Sequence, residues 1–165
     1  GSLISPWYVV WAAGAILLAI IFAVSYIRLK REFSMSLPVK NEFCDDWLKN
    51  HSISRKIDVR QSNGISAPLS YGILRPVILM PANTDWKNAD QLNYVFAHEY
   101  IHIRRFDSAV KLILILALCL HWFNPMVWVM YILANRDMEL ACDEAVVRAL
   151  SGKRPVLHMP LRLSV

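Results

Sequence analysis

The sequence predicts an α+β fold that carries a membrane helix, and three observations predict it. An uncharged run of about twenty residues lies near the N-terminus, short alternating and β-branched segments follow, and a His-Glu-x-x-His pattern sits on an amphipathic stretch. The expected organisation is a transmembrane anchor helix over 3–28, a cytosol-facing part over 29–150 that includes a hairpin at 109–134, and a loosely ordered tail over 151–165. Hydrophobic residues make up 56% of the 165. Soluble domains carry roughly half or less, so the excess belongs in lipid or in an unusually large core.

The run from Pro6 to Tyr26 has no charged residue and, at ~1.5 Å per residue, spans a bilayer core. Trp7, Tyr8 and Trp11 stand at one end and Tyr26 at the other, where aromatic belts form. Arg28, Lys30 and Arg31 follow at once and, by the positive-inside rule, put the end of the helix and the next segment in the cytoplasm. These cations account for much of the net charge of +5. The remainder is scattered with no aromatic-interleaved patch, so direct binding to nucleic acid is not expected. Cys44, Cys119 and Cys142 are far apart and form no CxxC pair, which argues against a disulfide framework and against a thiolate zinc site.

Residues 32–87 read as a small mixed region. Asn41 to Asn50 places Phe43, Trp47 and Leu48 at helical spacing. Ile57 to Arg60 alternates like a strand, and Asn63-Gly64 signals a turn. Pro76-Val77-Ile78-Leu79-Met80-Pro81 is a strand bounded by prolines, a pattern that suits an edge or terminal position. About three strands are expected. A helix starts near Asn88, whose pairing with Gln91 resembles a capping box, and Leu92, Val95, Phe96, Ile103 and Phe106 form its apolar stripe. Two apolar arms, Ala109 to Leu120 and Met126 to Ala134, flank a turn at His121–Pro125, and a polar helix runs from about Asn135 to Leu150.

His98-Glu99-Tyr100-Ile101-His102 carries the chemistry. Residues four apart on a helix stack one turn above each other, so both imidazoles can reach one metal ion. Zinc accepts such nitrogen and oxygen ligands and, in catalytic sites, keeps a position open for water. Glu99 is the general base that takes the water's proton and later passes it to a leaving amine. Shuffling this composition yields HExxH roughly once in two hundred trials, so two unrelated surface histidines are the weaker reading. Glu139 and Asp143, again four apart, supply a third ligand and a carboxylate for a histidine's other nitrogen.

For Glu139 to meet the histidines, the chain between them must begin and end on one side of the membrane. A single crossing by 109–134 would strand Glu139 opposite. The Asn124-Pro125 break resolves this: two arms reach only ~18 Å each and form a hairpin that dips partly into the bilayer or packs as core. For the oxyanion, His121, Tyr94 and Arg136 are the available donors, with His121 the named candidate, although a structural or interfacial role suits it better. Asp107, five residues past His102, reads as an ion-pair partner of Arg104, Arg105 or Lys111. An extended substrate could add to the edge of the strand that leads into the catalytic helix.

These blocks resemble the BlaR/MecR-type bacterial membrane metallopeptidases, of the gluzincin kind. The match rests on Pro76–Pro81, on His98–His102 running on to Arg104-Arg105-Phe106-Asp107, on His121-Trp122-Phe123-Asn124-Pro125, and on Glu139-Leu140-Ala141-Cys142-Asp143-Glu144-Ala145-Val146. It implies a small zincin-like domain in which His98, His102 and Glu139 hold Zn2+, Glu99 is the base and Asp143 supports a histidine. It also implies antirepressor proteolysis in antibiotic-resistance signalling, with a cytosolic protein as substrate. No serine acylation motif occurs here, so covalent capture of a β-lactam is not expected of this stretch.

The function expected is therefore that of a membrane-anchored zinc metalloendopeptidase acting on a cytosolic protein or peptide, with the lipid bilayer as its other partner and a homodimer left open. The alternative is a non-catalytic anchor or signal relay with a structural zinc site. Glu99 favours the enzyme, because a structural site has no use for a base.

Overall fold

The computed structural model describes residues 5–51 and 53–151. Helix α1 (Pro6–Ser34) starts with a proline in its first turn, where the missing N–H costs nothing. Its stretch Pro6–Arg31 is long and apolar enough to cross a membrane, and its most apolar window contributes nothing to the buried interior. A core helix would be covered, so that reading of the run is not supported. After α1 come β1 (Leu37–Pro38), α2 (Glu42–Asn50), β2 (Asp58–Ser62), β3 (Leu69–Tyr71) and β4 (Val77–Pro81). Three helices follow: α3 (Ala89–Arg105), α4 (Asp107–Leu120) and α5 (Pro125–Ser151). The expected tail beyond Ser151 lies outside the described residues.

The four strands are ordered β1-β2-β4-β3, one two-residue strand more than expected. β2 and β4 pair in parallel, with Val59 opposite Ile78, while β1 and β3 pair antiparallel to their neighbours. The strand with prolines at its ends is thus interior, not at an edge. Its prolines sit where no ladder donor is needed: Pro76 precedes the strand and Pro81 is its last residue, leaving Val77 to Leu79 paired on both sides. The edges are β1 and β3, and β3 lies beside α3.

One core holds the sheet, α2 and α3 together. Val59, Ile78 and Met80 meet Cys44 and Trp47 of α2 and Leu92, Phe96 and Ile103 of α3. Trp47 stands edge-on to Tyr100 and donates its indole N–H to Asn93 Oδ1 at 2.8 Å, which satisfies the one polar atom this large ring buries. The catalytic-motif helix is therefore clamped by packing on its far side, and its histidines are free to face α5.

Helices α4 and α5 form the hairpin around residues 121–124. Asn124 Oδ1 accepts the N–H of Met126, and Pro125 opens α5. α5 then runs unbroken to Ser151, joining the apolar stretch and the polar helix that composition had separated. The turn is seated on α1. Trp11 Nε1 donates to Leu120 O (2.9 Å), Trp122 Nε1 donates to Trp11 O (3.2 Å), and a Cβ at Gly14 would lie 2.3 Å from the Trp122 indole. Only glycine admits the ring so close to the backbone.

Candidate metal centre

Helix α3 is fixed at both ends. Asn88 Oδ1 accepts from Gln91 N–H at 3.1 Å, and Phe106 stops the helix in the left-handed conformation (φ 60°), the one non-glycine residue with positive φ among those described. Between these ends His98 and His102 lie one turn apart, and their Nε2 atoms approach to 3.1 Å. α5 brings in the third group: Glu139 Oε2 is 3.3 Å from His102 Nε2 and 3.7 Å from His98 Nε2. Three electron-pair donors thus converge on one point.

The chemistry of that donor set fits a cation. Asp107 Oδ2 lies 2.6 Å from His102 Nδ1, with Asp107 buried, so the imidazole proton belongs on Nδ1 and the lone pair on Nε2. Two ring nitrogens and a carboxylate oxygen facing each other in this way are held together by a shared proton or by a cation, and this donor set is one that zinc accepts. His98 is held less well. Its Nδ1 is 3.1 Å from Asp143 Oδ1, but the contact is misaligned and the nitrogen makes no well-formed hydrogen bond.

Sequence reasoning placed Asp107 off the ligand face, in an ion pair. An ion pair exists, with Arg105 Nε at 3.7 Å, but the closer contact is to His102. The spacing argument assumed one continuous helix. The turn at Phe106 ends α3, starts α4 at once and swings Asp107 back onto the histidine. Lys111 was considered for Asp107 and instead reaches Glu139 Oε1 at 3.4 Å. Burial pushes the Glu139 pKa up, but His102 and Lys111 outweigh it and hold the carboxyl below its ordinary value.

Cys142 is the third feature the sequence did not reveal. Its thiol is fully buried between α3 and α5, donates to His98 O at 3.3 Å, and lies within 4.8 Å of both imidazole donors. Burial, helped by the neighbouring carboxylates of Glu139, Asp107, Glu99 and Asp143, pushes its pKa up to about 12. The thiol ties α5 to the α3 backbone, and its sulfur also stands with His98 and His102 among the groups that could hold a metal. The only sequence signal was that Cys142 follows Glu139 by three residues, on the same helical face.

Glu99 is buried and lines a cleft of about 210 Å3 with Pro68, Tyr94, Val95, His98 and Asp143. Tyr94 donates a long hydrogen bond to Asp143 Oδ1 (3.4 Å). Burial and then Asp143 raise its pKa, so the phenol keeps its proton. A larger hollow of about 380 Å3, between α2 and residues 53–57, holds none of the motif, so the smaller cleft is the one that bears on chemistry. His121 is not brought to the centre. It caps the far end of α4, its Nδ1 3.2 Å from Ala117 O, roughly 20 Å along the helix from Asp107. The arm that carries it runs away from the site, so it cannot reach an oxyanion there.

Comparison with known proteins gives the family. The family described as BlaR1 peptidase M56 matches residues 3–155. Regulatory protein BlaR1 of Bacillus licheniformis is 29% identical over 164 residues, covering 94% of this chain and 26% of that protein. Regulatory protein BlaR1 of Staphylococcus aureus is 26% identical over 148 residues, 87% of this chain and 25% of that protein. The methicillin resistance mecR1 protein of Staphylococcus aureus is 24% identical over 98 residues, 59% of this chain and 17% of that protein. The chain spans about a quarter of the length of the BlaR1 relatives. It belongs to the M56 peptidase family.

Proposed function

We propose that this member of the M56 peptidase family is a membrane-anchored zinc endopeptidase that cuts a cytosolic protein. The relatives, named as regulatory and methicillin-resistance proteins, support a role in resistance signalling, in which the chain would act as an antirepressor by cutting a repressor. One observation carries the reading: His98, His102 and Glu139 present three donor atoms within 3.1–3.7 Å of one another, beside a cleft in which Glu99 is buried. A structural metal site has no need of a carboxylate base at its mouth.

In this reading His98, His102 and Glu139 hold the zinc, which when bound supplies a Lewis acid that polarises the scissile carbonyl and acidifies water. Glu99 takes the proton of the attacking water and delivers it to the departing amine nitrogen. Asp107 holds the His102 proton on Nδ1, and Asp143 does the same more loosely for His98. The exposed edge of the sheet nearest α3 is β3, with Pro68 at its start lining the cleft. An extended substrate therefore adds to β3 and not to β4, whose two sides are occupied.

The membrane reading completes the proposal. α1 crosses the bilayer with Arg28, Lys30 and Arg31 on the cytoplasmic side. The α4–α5 turn docks at Trp11 and Gly14, roughly 25 Å along α1 from Arg28, so the hairpin reaches deep into the bilayer. Its outward residues Leu112, Ile113, Leu116, Val129, Ile132 and Leu133 are exposed and apolar, as lipid requires.

Zinc per chain in detergent tests the centre, with about one ion expected in the wild type and sharply less in Glu139→Ala. Glu99→Gln should keep its zinc and lose cleavage by roughly 10²–10⁴-fold. A wild type that holds no zinc after metal-replete purification, or a Glu99→Gln variant that cleaves normally, overturns the reading.

A further inference from the structure

Arg55 lies outside every motif considered so far, in the segment between α2 and β2. Its side chain makes three contacts at once. Nη1 donates to Ile73 O at 2.7 Å, Nη2 donates to Ile103 O, and Cζ sits 3.8 Å from the centre of the Phe106 ring. Ile103 O is one of the carbonyls left without a helical partner at the C-terminal end of α3, where it also accepts the N–H of Phe106. Arg55 therefore caps the helix that carries both histidines, and its cation covers the face of the residue that ends that helix.

Phe106 is an improbable residue for its place. A left-handed stop favours glycine, and a bulky aromatic held there must be fixed by its surroundings. The stop has a consequence at the metal centre. α4 begins at the next residue, and Ala109 and Val110 donate back to Phe106 O at 2.8 and 3.1 Å. That geometry delivers Asp107 to within 2.6 Å of His102 Nδ1. The path from Arg55 to the centre is continuous: guanidinium, Phe106 turn, Asp107, His102.

We propose that Arg55 is a positioning residue for the metal centre, acting through the Phe106 turn to hold Asp107 on His102. This rests on the zinc reading above. It has a sign that simple electrostatics does not share. A guanidinium near a cation site repels the ion, so charge alone says that removing Arg55 tightens zinc binding. Positioning says the reverse, because an imidazole freed from its carboxylate loses orientation and basicity. A role confined to packing gives a third outcome, in which stability falls and metal affinity stays put.

Competition of Zn2+ against a chelator, on the full chain in detergent, separates these. Arg55→Met keeps the volume and is expected to weaken zinc affinity tenfold or more. Arg55→Lys keeps the charge, reaches only one of the two carbonyls and should fall between. In an Asp107→Asn background Arg55→Met should cost nothing further. If Arg55→Met does not fold, Phe106→Gly and Phe106→Ala replace it: both lose the ring, glycine takes the turn freely, and glycine should bind zinc more tightly. Unchanged or tighter binding in Arg55→Met, a full further loss beside Asp107→Asn, or equal affinity in the two Phe106 variants overturns the proposal while leaving the zinc site standing. A wild type without zinc overturns both.

Discussion

His102 and Glu139 face each other at 3.3 Å from opposite walls of the centre, and the walls are unlike. On the α3–α4 side the His102 ring is 10% exposed and its partner Asp107 only 5%, joined by a 2.6 Å contact. On the α5 side the carboxylates of Glu139 and Asp143 are about half exposed, at 49% and 47%, and their contacts to the rings run from 3.1 to 3.7 Å. The first wall is made before a metal arrives, because buried polar groups have to be paired. The second is partly wet, and water competes for its groups. For the proposed zinc site, the difference means that affinity would be set on one side and adjustment would be available on the other.

The largest test removes one carboxylate from each wall. Asp107→Asn should weaken zinc binding roughly 10–100-fold, the usual scale for a partner that orients a ligating histidine. Asp143→Asn should cost less than about tenfold, since its contact to His98 is misaligned and half solvated. The two constants are measured by chelator competition. Equal losses would erase the contrast between the walls.

The intermediate test concerns pH. Glu139 is held below its ordinary pKa by His102 and Lys111 against the opposing pull of burial. A carboxyl with a lowered folded pKa contributes above its unfolded value and loses that contribution as pH falls through the folded one. In the metal-free protein this carboxyl therefore takes up its proton only in acid. Lys111→Met removes one of the two main lowering influences, so in the metal-free protein the Glu139 carboxyl should titrate at a higher pH, read by carboxyl-carbon NMR. At neutral pH the affinity should change by no more than about fivefold, the scale of an exposed ion pair of up to ~1 kcal/mol. A carboxyl titration that did not move would mean that Lys111 does not act on Glu139.

How much of this was legible depended on whether a feature was local. His98 and His102 could be placed on one face because four-residue spacing and the Asn88 cap are read within a single helix, and Glu139 with Asp143 followed the same rule. The unbroken α5 was misread at Asn135, where composition turns from apolar to polar. Chemistry changes there, but no glycine or proline interrupts the helix. β4 was misplaced for another reason: prolines fix where a strand ends, while its position between β2 and β3 depends on pairings distant in sequence. Asp107 was hidden by the left-handed turn at Phe106, a conformation that an aromatic residue does not advertise. The tightly built wall of the centre was thus the less readable one, since its order comes from a backbone irregularity and not from a repeat.

The smallest effect is expected at Tyr94, and it sharpens the comparison from the wet side. Its hydroxyl is 3.4 Å from Asp143 Oδ1, the same oxygen that lies 3.1 Å from His98 Nδ1. A bond that long is worth no more than about 1 kcal/mol, so Tyr94→Phe should reduce zinc affinity by less than about fivefold. If Asp143 only steadies His98, cleavage should fall by the same small factor, because the phenol acts through the ligand alone. Tyr94 and Glu99 also line the same cleft, and the phenol retains its proton. A hundredfold loss of turnover at unchanged zinc affinity would move Tyr94 from the support of a ligand to the binding of the developing oxyanion, the role that His121 at the far end of α4 cannot fill.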